Sequence, residues 1–292
     1  MNQSYYEASA RERLAAVLDP SSFQEILPPS ARVISPHLRQ LDTPAAFDDG
    51  IIVGEGRLDG QRVLVAAQEG GFMGGAVGEV HGAKLVGLLE RALDTQPTAV
   101  LLLVESGGVR LHEANAGLIA VSEVMRAVLA VRGAGIPVIV LDGGQFGCFG
   151  GMGIVARLCD TVIISEEGRL GLSGPEVIET TCGVEEFDSR DRALVWRTVG
   201  GKHRTLLGEA GELVADATTA FRAAAIRALA LTPDLSLEAL EREHAALGQR
   251  IERFGDCHDA VDIWHALGIE DPERLPLLEA AEFNAITAGK RA

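Results

Sequence analysis

The sequence predicts an α/β protein built on a largely parallel sheet, and three features carry that reading. Short, wholly apolar runs such as "AVLLLV" (Ala99–Val104) and "TVIIS" (Thr161–Ser165) have the length and continuity of strands covered on both faces. Between the first of these and "VIVL" (Val138–Leu141), apolar spacing near 3.6 marks a helix from about Leu111 to Arg132. That is a β-α-β unit, which joins parallel strands by a right-handed crossover. Aromatic residues make up only 4% of the chain while Ala, Val, Leu and Gly abound, which suits helix layers packed on a Val/Leu-rich sheet.

Taken in order, the chain opens with a helix over Tyr5–Val17 and a weakly patterned arm punctuated by Pro28, Pro29, Pro36 and Pro44. "GIIVGEGRLDGQRVLVAAQE" then reads as a hairpin, Ile51–Arg57 and Arg62–Gln68, because Asp59-Gly60 between two apolar runs is a strong turn signal. A glycine-rich loop (Gly70–Gly78) leads into a helix from Glu79 to Leu93. After Ala99–Val104 comes a Ser-Gly-Gly turn and the long helix, which Gly133 and Gly135 end. Pro137 opens the next strand, and a second glycine loop leads to a short helix (Ile154–Leu158) and the strand Thr161–Ser165. From Asp216 onward three stretches show helical spacing, punctuated by Pro233 and Gly255, with Ser236 and Asp256 as candidate N-caps. The division expected is an N-terminal helix and arm over 1–49, a core over 50–215, and a helical region over 216–292 belonging to the same domain.

The 292 residues carry a formal charge of −16, which argues against nucleic acid or an anionic membrane as partner, since both reward excess Lys and Arg. The first twenty residues hold Glu7, Arg11, Glu12 and Arg13 and lack the apolar core of a signal peptide. Apolar runs are far too short to cross a bilayer. Cys148, Cys159, Cys182 and Cys257 form no C-x-x-C pair, so no zinc ribbon or other metal site is expected, and a reduced cytoplasmic setting is.

Six glycines fall within Gly143–Gly153 of "DGGQFGCFGGMGIVARLCD". Glycine loses the most conformational freedom on folding, so such a cluster signals positive φ or close approach by a ligand. Gly151–Ala156 fits G-x-G-x-x-A, yet it starts too far from the strand end and precedes too short a helix for a dinucleotide fold. Gly201-Lys202 lacks the rest of a Walker loop, and "GLSGP" (Gly171–Pro175) lacks the last glycine of a nucleophile elbow. What survives is a Gly-Gly pair at each of two strand-to-helix handovers, in "ESGGVRLHEA" and "GCFGGMGIVA". Unpaired N–H groups at helix starts carry partial positive charge. Two such sites on neighbouring strands would form an oxyanion hole for a thioester; the plain alternative is a pair of tight turns.

"GEGRLDGQRVLVAAQEGGFMGGAVGEVHGAKLVGLLERAL", "ESGGVRLHEA" and "GRLGLSGPEVIE" resemble the β-type carboxyltransferase subunits of acyl-CoA carboxylases, over roughly Gly50–Glu179. That resemblance implies a crotonase-like (ClpP/crotonase) fold of repeated ββα units. Within the family, "TCGVEEFDSRDRALVWRTVGGKHRTLLGEAGELVAD" (Thr181–Asp216) and the missing four-cysteine zinc ribbon make the chain most similar to the β subunits of biotin-independent malonate decarboxylases. The resemblance implies decarboxylation of malonyl-S-acyl carrier protein to the acetyl thioester. It implies two partners, a γ subunit of the same fold and the acyl carrier protein. This chain would bind no cofactor; the carrier would bring a CoA-derived, phosphopantetheine-type prosthetic group.

Matching motifs place the first oxyanion hole at Gly107, Gly108 and the adjacent Val109, and the second at Gly150 and Gly151. Phe72, Met73, Gly74 and Gly75 either line the pocket or pack at a subunit seam. Arg197, Lys202 and Arg204, within a basic cluster that also holds Arg190, Arg192 and His203, offer either a dock for the carrier or a solvated helix face. His81, His112 and Cys148 flank or enter the glycine loops without an assigned role. Two other readings stand beside this one: a biotin-dependent acyl-CoA carboxyltransferase subunit, and a structural half whose γ partner does the chemistry.

Overall fold

The structure is a computed structural model describing residues 3–42 and 48–292; Pro44 lies outside the described residues. In chain order its elements are α1 Ala10–Val17, β1 Gln24–Ile26, β2 Ile51–Leu58, β3 Gln61–Gln68, α2 Glu79–Thr95, β4 Ala99–Val104, α3 Ala116–Gly133, β5 Val138–Asp142, α4 Gly151–Leu158 and β6 Thr161–Ser165. There follow α5 Pro175–Cys182, α6 Arg192–Val199, α7 Gly201–Leu206, β7 Glu212–Val214, α8 Thr218–Ala228, α9 Leu237–Phe254, α10 Ala260–Ala266 and α11 Ala280–Ile286.

Seven strands form one sheet in sequential order, β1 to β7. β1, β2 and β3 pair antiparallel, and β3 through β7 run parallel. The hairpin turns at Asp59 and Gly60 with φ of 50° and 75°, the mirror-image turn whose twist matches the flanking strands. Alternate residues of the parallel strands serve two cores. Val100, Leu102 and Val104 of β4 face α2, α3 and α4, together with Trp264 and Phe283 from the C-terminal helices. Ala99, Leu101 and Leu103 face α1 and α8, where Leu14, Phe221 and Ala224 pack. The apolar runs are continuous in sequence because both faces are covered.

Several boundaries differ from the sequence reading. α1 starts at Ala10, not Tyr5, because Ser9 and Glu12 form a capping box there, while the carbonyls of Tyr5 and Tyr6 accept from Arg13. The helix expected from Leu111 is a 3₁₀ turn, Leu111–Glu113, followed by α3; Ala114 at φ 52° separates them. α10 is capped by Asp259 with Asp262, not by Asp256, whereas Ser236 caps α9 as expected. β1 and β7, three residues each, carry no pattern of their own and exist as additions to existing strand edges. Beyond residue 216 the helices pack into the same two cores as the strands, and no helix among the described residues is long and apolar enough to cross a membrane.

Candidate active site

Parallel strands β3 to β6 end in a row of polar residues, Gln68, Glu105, Asp142 and Ser165, each buried. Glu105 organises the loops above them. Its carboxylate meets Arg13 of α1 at 2.5 Å, and both side chains are almost wholly buried. It also accepts the backbone N–H of Phe146 at 3.1 Å and of Gly70 at 3.4 Å, one from each glycine-rich loop. Gly70 and Gly144 are needed here, since a Cβ at either would lie 2.5 Å from the Glu105 carboxyl carbon. The ionised form of Glu105 is thus matched by a cation and by two amide donors, which is what a buried carboxylate requires.

Above this layer the loops are tied in series by single-residue bridges: Val77 to Val109, Ser106 to Cys148, and Cys148 to Leu170. Each strand is followed by a one-residue second strand and then a helix, as β4–Ser106–α3, β5–Cys148–α4 and β6–Leu170–α5. The repeated ββα unit is present with its second strand reduced to one residue. A second ion pair, Arg110 to Glu113 at 3.1 Å, holds the first loop: Arg110 donates to the carbonyls of Ala76 and Asp49, and Glu113 accepts from Glu79 N–H at 2.6 Å.

This lacing corrects the assignment of the glycine amides. Gly107 N–H donates to Gly74 O at 2.8 Å, and Gly150 N–H donates to Leu172 O at 2.9 Å. Both are occupied by the protein itself and cannot also bind a substrate oxygen. Nor do Gly107 and Gly108 stand at a helix start, because α3 begins at Ala116. Among the described residues no hydrogen-bond acceptor meets the N–H groups of Val109, Gly151 and Met152. Gly108 N–H has only a 3.3 Å contact with Ser106 Oγ. The donors available lie one residue further along each loop than the glycine pairs suggested. Gly108 (φ 137°) and Gly150 (φ 61°) bring the loops together, since a Cβ on Gly150 would sit 3.1 Å from Gly108 Cα. Gly151 and Met152 open α4, so the helix dipole adds partial positive charge.

Of the other predicted residues, Gly74 and Gly75 support the first loop. Gly74 supplies the acceptor for Gly107, and a Cβ on Gly75 would strike Glu105 O at 1.8 Å. Phe72 lies beneath the Arg110 guanidinium, 5.3 Å from its ring centre, and Met73 is half exposed at the lip. Arg197, Lys202 and Arg204 of the basic cluster have partners within the chain, and Arg192, Arg197 and Lys202 line one surface pocket. Arg197 pairs with Asp259 at 3.3 Å, and Lys202 donates to Leu278 O at 2.6 Å and Pro276 O at 2.9 Å beside Glu166. Arg204 holds Glu209 and Thr198 O, both at 2.8 Å. These side chains anchor the C-terminal segment and its neighbours.

His81 is fully buried between Gln68 Nε2 (3.0 Å) and Asp49 O (3.1 Å), and burial, aided by the Arg110 charge, pushes its pKa down to about 3. His203, which accepts from Trp264 Nε1–H at 3.2 Å, is pushed down to about 3 by burial and by Arg204. Burial raises the Cys148 thiol well above its ordinary range. Burial likewise raises the wholly buried Asp142 carboxyl well above its ordinary range, against the opposing pull of Arg169. Sequence reasoning missed Met152 and the Arg13–Glu105 pair. A charged residue directly after the apolar run Ala99–Val104 was the available signal for Glu105; nothing distinguished Arg13 from Arg11.

A parallel sheet whose strands are each followed by a short second strand and a helix, in repeated ββα units, is the crotonase-like architecture. The chain belongs to the carboxyl transferase domain family, whose model matches residues 6–201. It is 40% identical to the malonyl-S-ACP:biotin-protein carboxyltransferase of Malonomonas rubra, over 97% of this chain and 95% of that one. The acetyl-coenzyme A carboxylase carboxyl transferase subunit beta of Fusobacterium nucleatum is 32% identical over 61% of this chain and 60% of its own. Among solved structures, a chain of a Pseudomonas malonate decarboxylase hetero-tetramer in complex with malonate superposes with a TM-score of 0.80 at 39% identity, covering 91% of this chain and 97% of that one.

Two outcomes follow from the buried charges. Replacing Arg13 by Met leaves Glu105 buried and unpaired, and should lower the unfolding free energy by about 3–5 kcal/mol in urea titrations, with the Arg13→Met/Glu105→Gln double variant losing less. His81 and His203 bind a proton in the unfolded chain below pH 6.5 and do not in the folded one until about pH 3. Stability is therefore full above pH 6.5 and falls with acidification, by about 2 kcal/mol per histidine at pH 5. His81→Gln and His203→Gln should each flatten the stability–pH slope measured between pH 7 and 5.

Proposed function

We propose that this chain is the β-type subunit that decarboxylates a malonyl thioester carried on an acyl carrier protein, giving the acetyl thioester and CO₂. The observation that carries the proposal is the set of N–H groups on two adjoining loops that meet no acceptor among the described residues, Val109 on one and Gly151 with Met152 on the other, with Gly108 N–H beside Val109 holding Ser106 Oγ at 3.3 Å. When the C–C bond to the carboxylate breaks, its electron pair moves into an enolate centred on the thioester oxygen, and CO₂ leaves. A proton then adds at C2. The catalyst's main task is to hold that oxygen's growing charge and keep the leaving carboxylate oriented. Preorganised amides do this without reorganisation, and their loops are fixed from beneath by Glu105 and from the side by Arg110 and Glu113.

The thioester arm belongs to the CoA-derived prosthetic group of the carrier and is read as substrate. Space above Gly108 suits it, since a Cβ built there meets nothing within 4 Å. Exposed aliphatic side chains surround the loops, including Leu111, Leu118, Ile119, Ile154, Leu172 and Val177. An apolar rim of this kind marks an interface, and we assign it to a γ subunit of like fold that closes the site. A second reading has one specific support: the Malonomonas relative is named for transfer to a biotin protein, so the acceptor of the carboxyl group here could be biotin instead of solvent.

The test uses the chain co-purified with its partner subunits. CO₂ release from malonyl carrier should proceed unchanged in the presence of avidin; loss of turnover with avidin selects the biotin-dependent reading. Proline is tolerated at the first position of a helix but has no N–H, so Gly151→Pro deletes one donor. Made together with Val121→Ala, which removes the methyl 2.5 Å from the new Cβ, it should lower kcat about 100-fold relative to Val121→Ala alone. The KM for carrier should change little. Unaltered turnover would leave this chain a scaffold.

A further inference from the structure

α9 stands off the molecule it belongs to. Ala239, Arg250 and Phe254 are the residues of this 18-residue helix that are not exposed. A groove of about 660 Å³, walled by Arg132, Arg157 and Asp160 on one side and by Ala239, Glu243 and Ala246 on the other, runs beneath it. The helix is held by Phe254 and by the loose ion pairs Arg157–Glu243 at 3.6 Å and Arg250–Glu209 at 3.8 Å. Along its outer side Leu237 is 68% exposed, Leu240 53%, Leu247 40% and Ile251 73%. With His244 these residues follow alternating steps of three and four, the spacing of a helix-pairing seam. At 100° per residue the seam lies about a quarter-turn from Ala239 and Arg250, so it runs along the side of the helix, with Leu240 at the edge of the groove. A lone exposed leucine needs no explanation; a row about 20 Å long does.

We propose that a second copy of this chain covers the seam, α9 packing antiparallel on its own counterpart about a two-fold axis. The row is complementary to itself when reversed: Leu240 meets Ile251 of the copy, His244 meets Leu247, and Leu237 meets the end of the helix at Phe254. In that register Glu243 of each copy falls beside Arg250 of the other, giving two opposite-charge contacts in addition to the pairs these residues make with Arg157 and Glu209. Parallel pairing would instead align the acidic first half of the helix (Glu238, Glu241, Glu243) with itself and set the two helix dipoles side by side in the same sense. His244 in the middle weakens the seam while fixing its register, as a single polar seam residue does. The interface is short, so association depends on concentration. It is remote in chain from the glycine loops and does not rest on the proposed chemistry.

Sedimentation velocity of the full chain from roughly 1 to 200 µM tests this. The wild type should pass from one chain to two across that range. Leu240→Glu/Ile251→Glu should remain a single chain throughout, with unchanged circular dichroism and melting temperature. Glu243→Arg and Arg250→Glu should each weaken association about fivefold, and the two together should restore it to within about twofold. A wild type that stays single at the highest concentration overturns the proposal. So does a dimer indifferent to the Leu240 and Ile251 changes, or a double charge swap that fails to recover. If the same two changes abolish only capture of a co-purified subunit of different sequence, the seam belongs to that subunit and self-pairing is rejected.

Discussion

A single buried ion pair, Arg13 with Glu105, sets the position of everything above the sheet. Glu105 occupies the first position after β4, where the chain leaves the hydrogen-bonded ladder and would otherwise wander. Its carboxylate draws in one amide from each glycine-rich loop, and Arg13 makes that charge tolerable inside the protein. The glycines nearest to it are there for space: side chains at positions 70 or 144 would push the loops off the carboxylate. The glycine richness of the two loops therefore has two separate causes. Some glycines make room for Glu105, and others, Gly108 and Gly150, adopt backbone angles that let the loops touch.

Above that anchor the loops are stitched to one another by main-chain hydrogen bonds, one bridge per unit. The stitching uses up some amides and spares others. Gly107 and Gly150 bind neighbouring carbonyls and so carry structure, whereas Val109, Gly151 and Met152 are left with their donors free. Bonded and free amides thus alternate along each loop. This also explains the motif "ESGGVRLHEA" residue by residue: Glu105 anchors, Ser106 bridges, Gly107 and Gly108 bend, Val109 offers its amide, and Arg110 with Glu113 clamps the turn.

Much of the frame was legible from residue patterns because those patterns are local. The strands Ala99–Val104 and Thr161–Ser165 matched their observed limits, and those of the Asp59-Gly60 hairpin each ran one residue further into the turn, since apolar runs and turn residues report on their own backbone. What depends on distant parts was not. β1 and β7 form against edges supplied by other strands, and the 3₁₀ break before α3 follows from Arg110 and Glu113 gripping the preceding loop. Arg197 and Lys202 looked like part of a surface because their acceptors, Asp259 and the carbonyls of Pro276 and Leu278, lie about sixty or more residues away. Which amide of a Gly-Gly pair is free is likewise decided by a carbonyl in another loop.

The provenance of Arg13 has a temporal consequence. Its helix precedes the whole sheet in the chain, yet it rests against Glu105 and is secured by Asp216, which accepts from Ser4 and Tyr6, and by Thr218 N–H on Gln3 O. That segment gains these contacts only once the chain has been made as far as Thr218. The floor under the glycine-rich loops is therefore locked from below late in synthesis, although Arg13 and Glu105 are both made early.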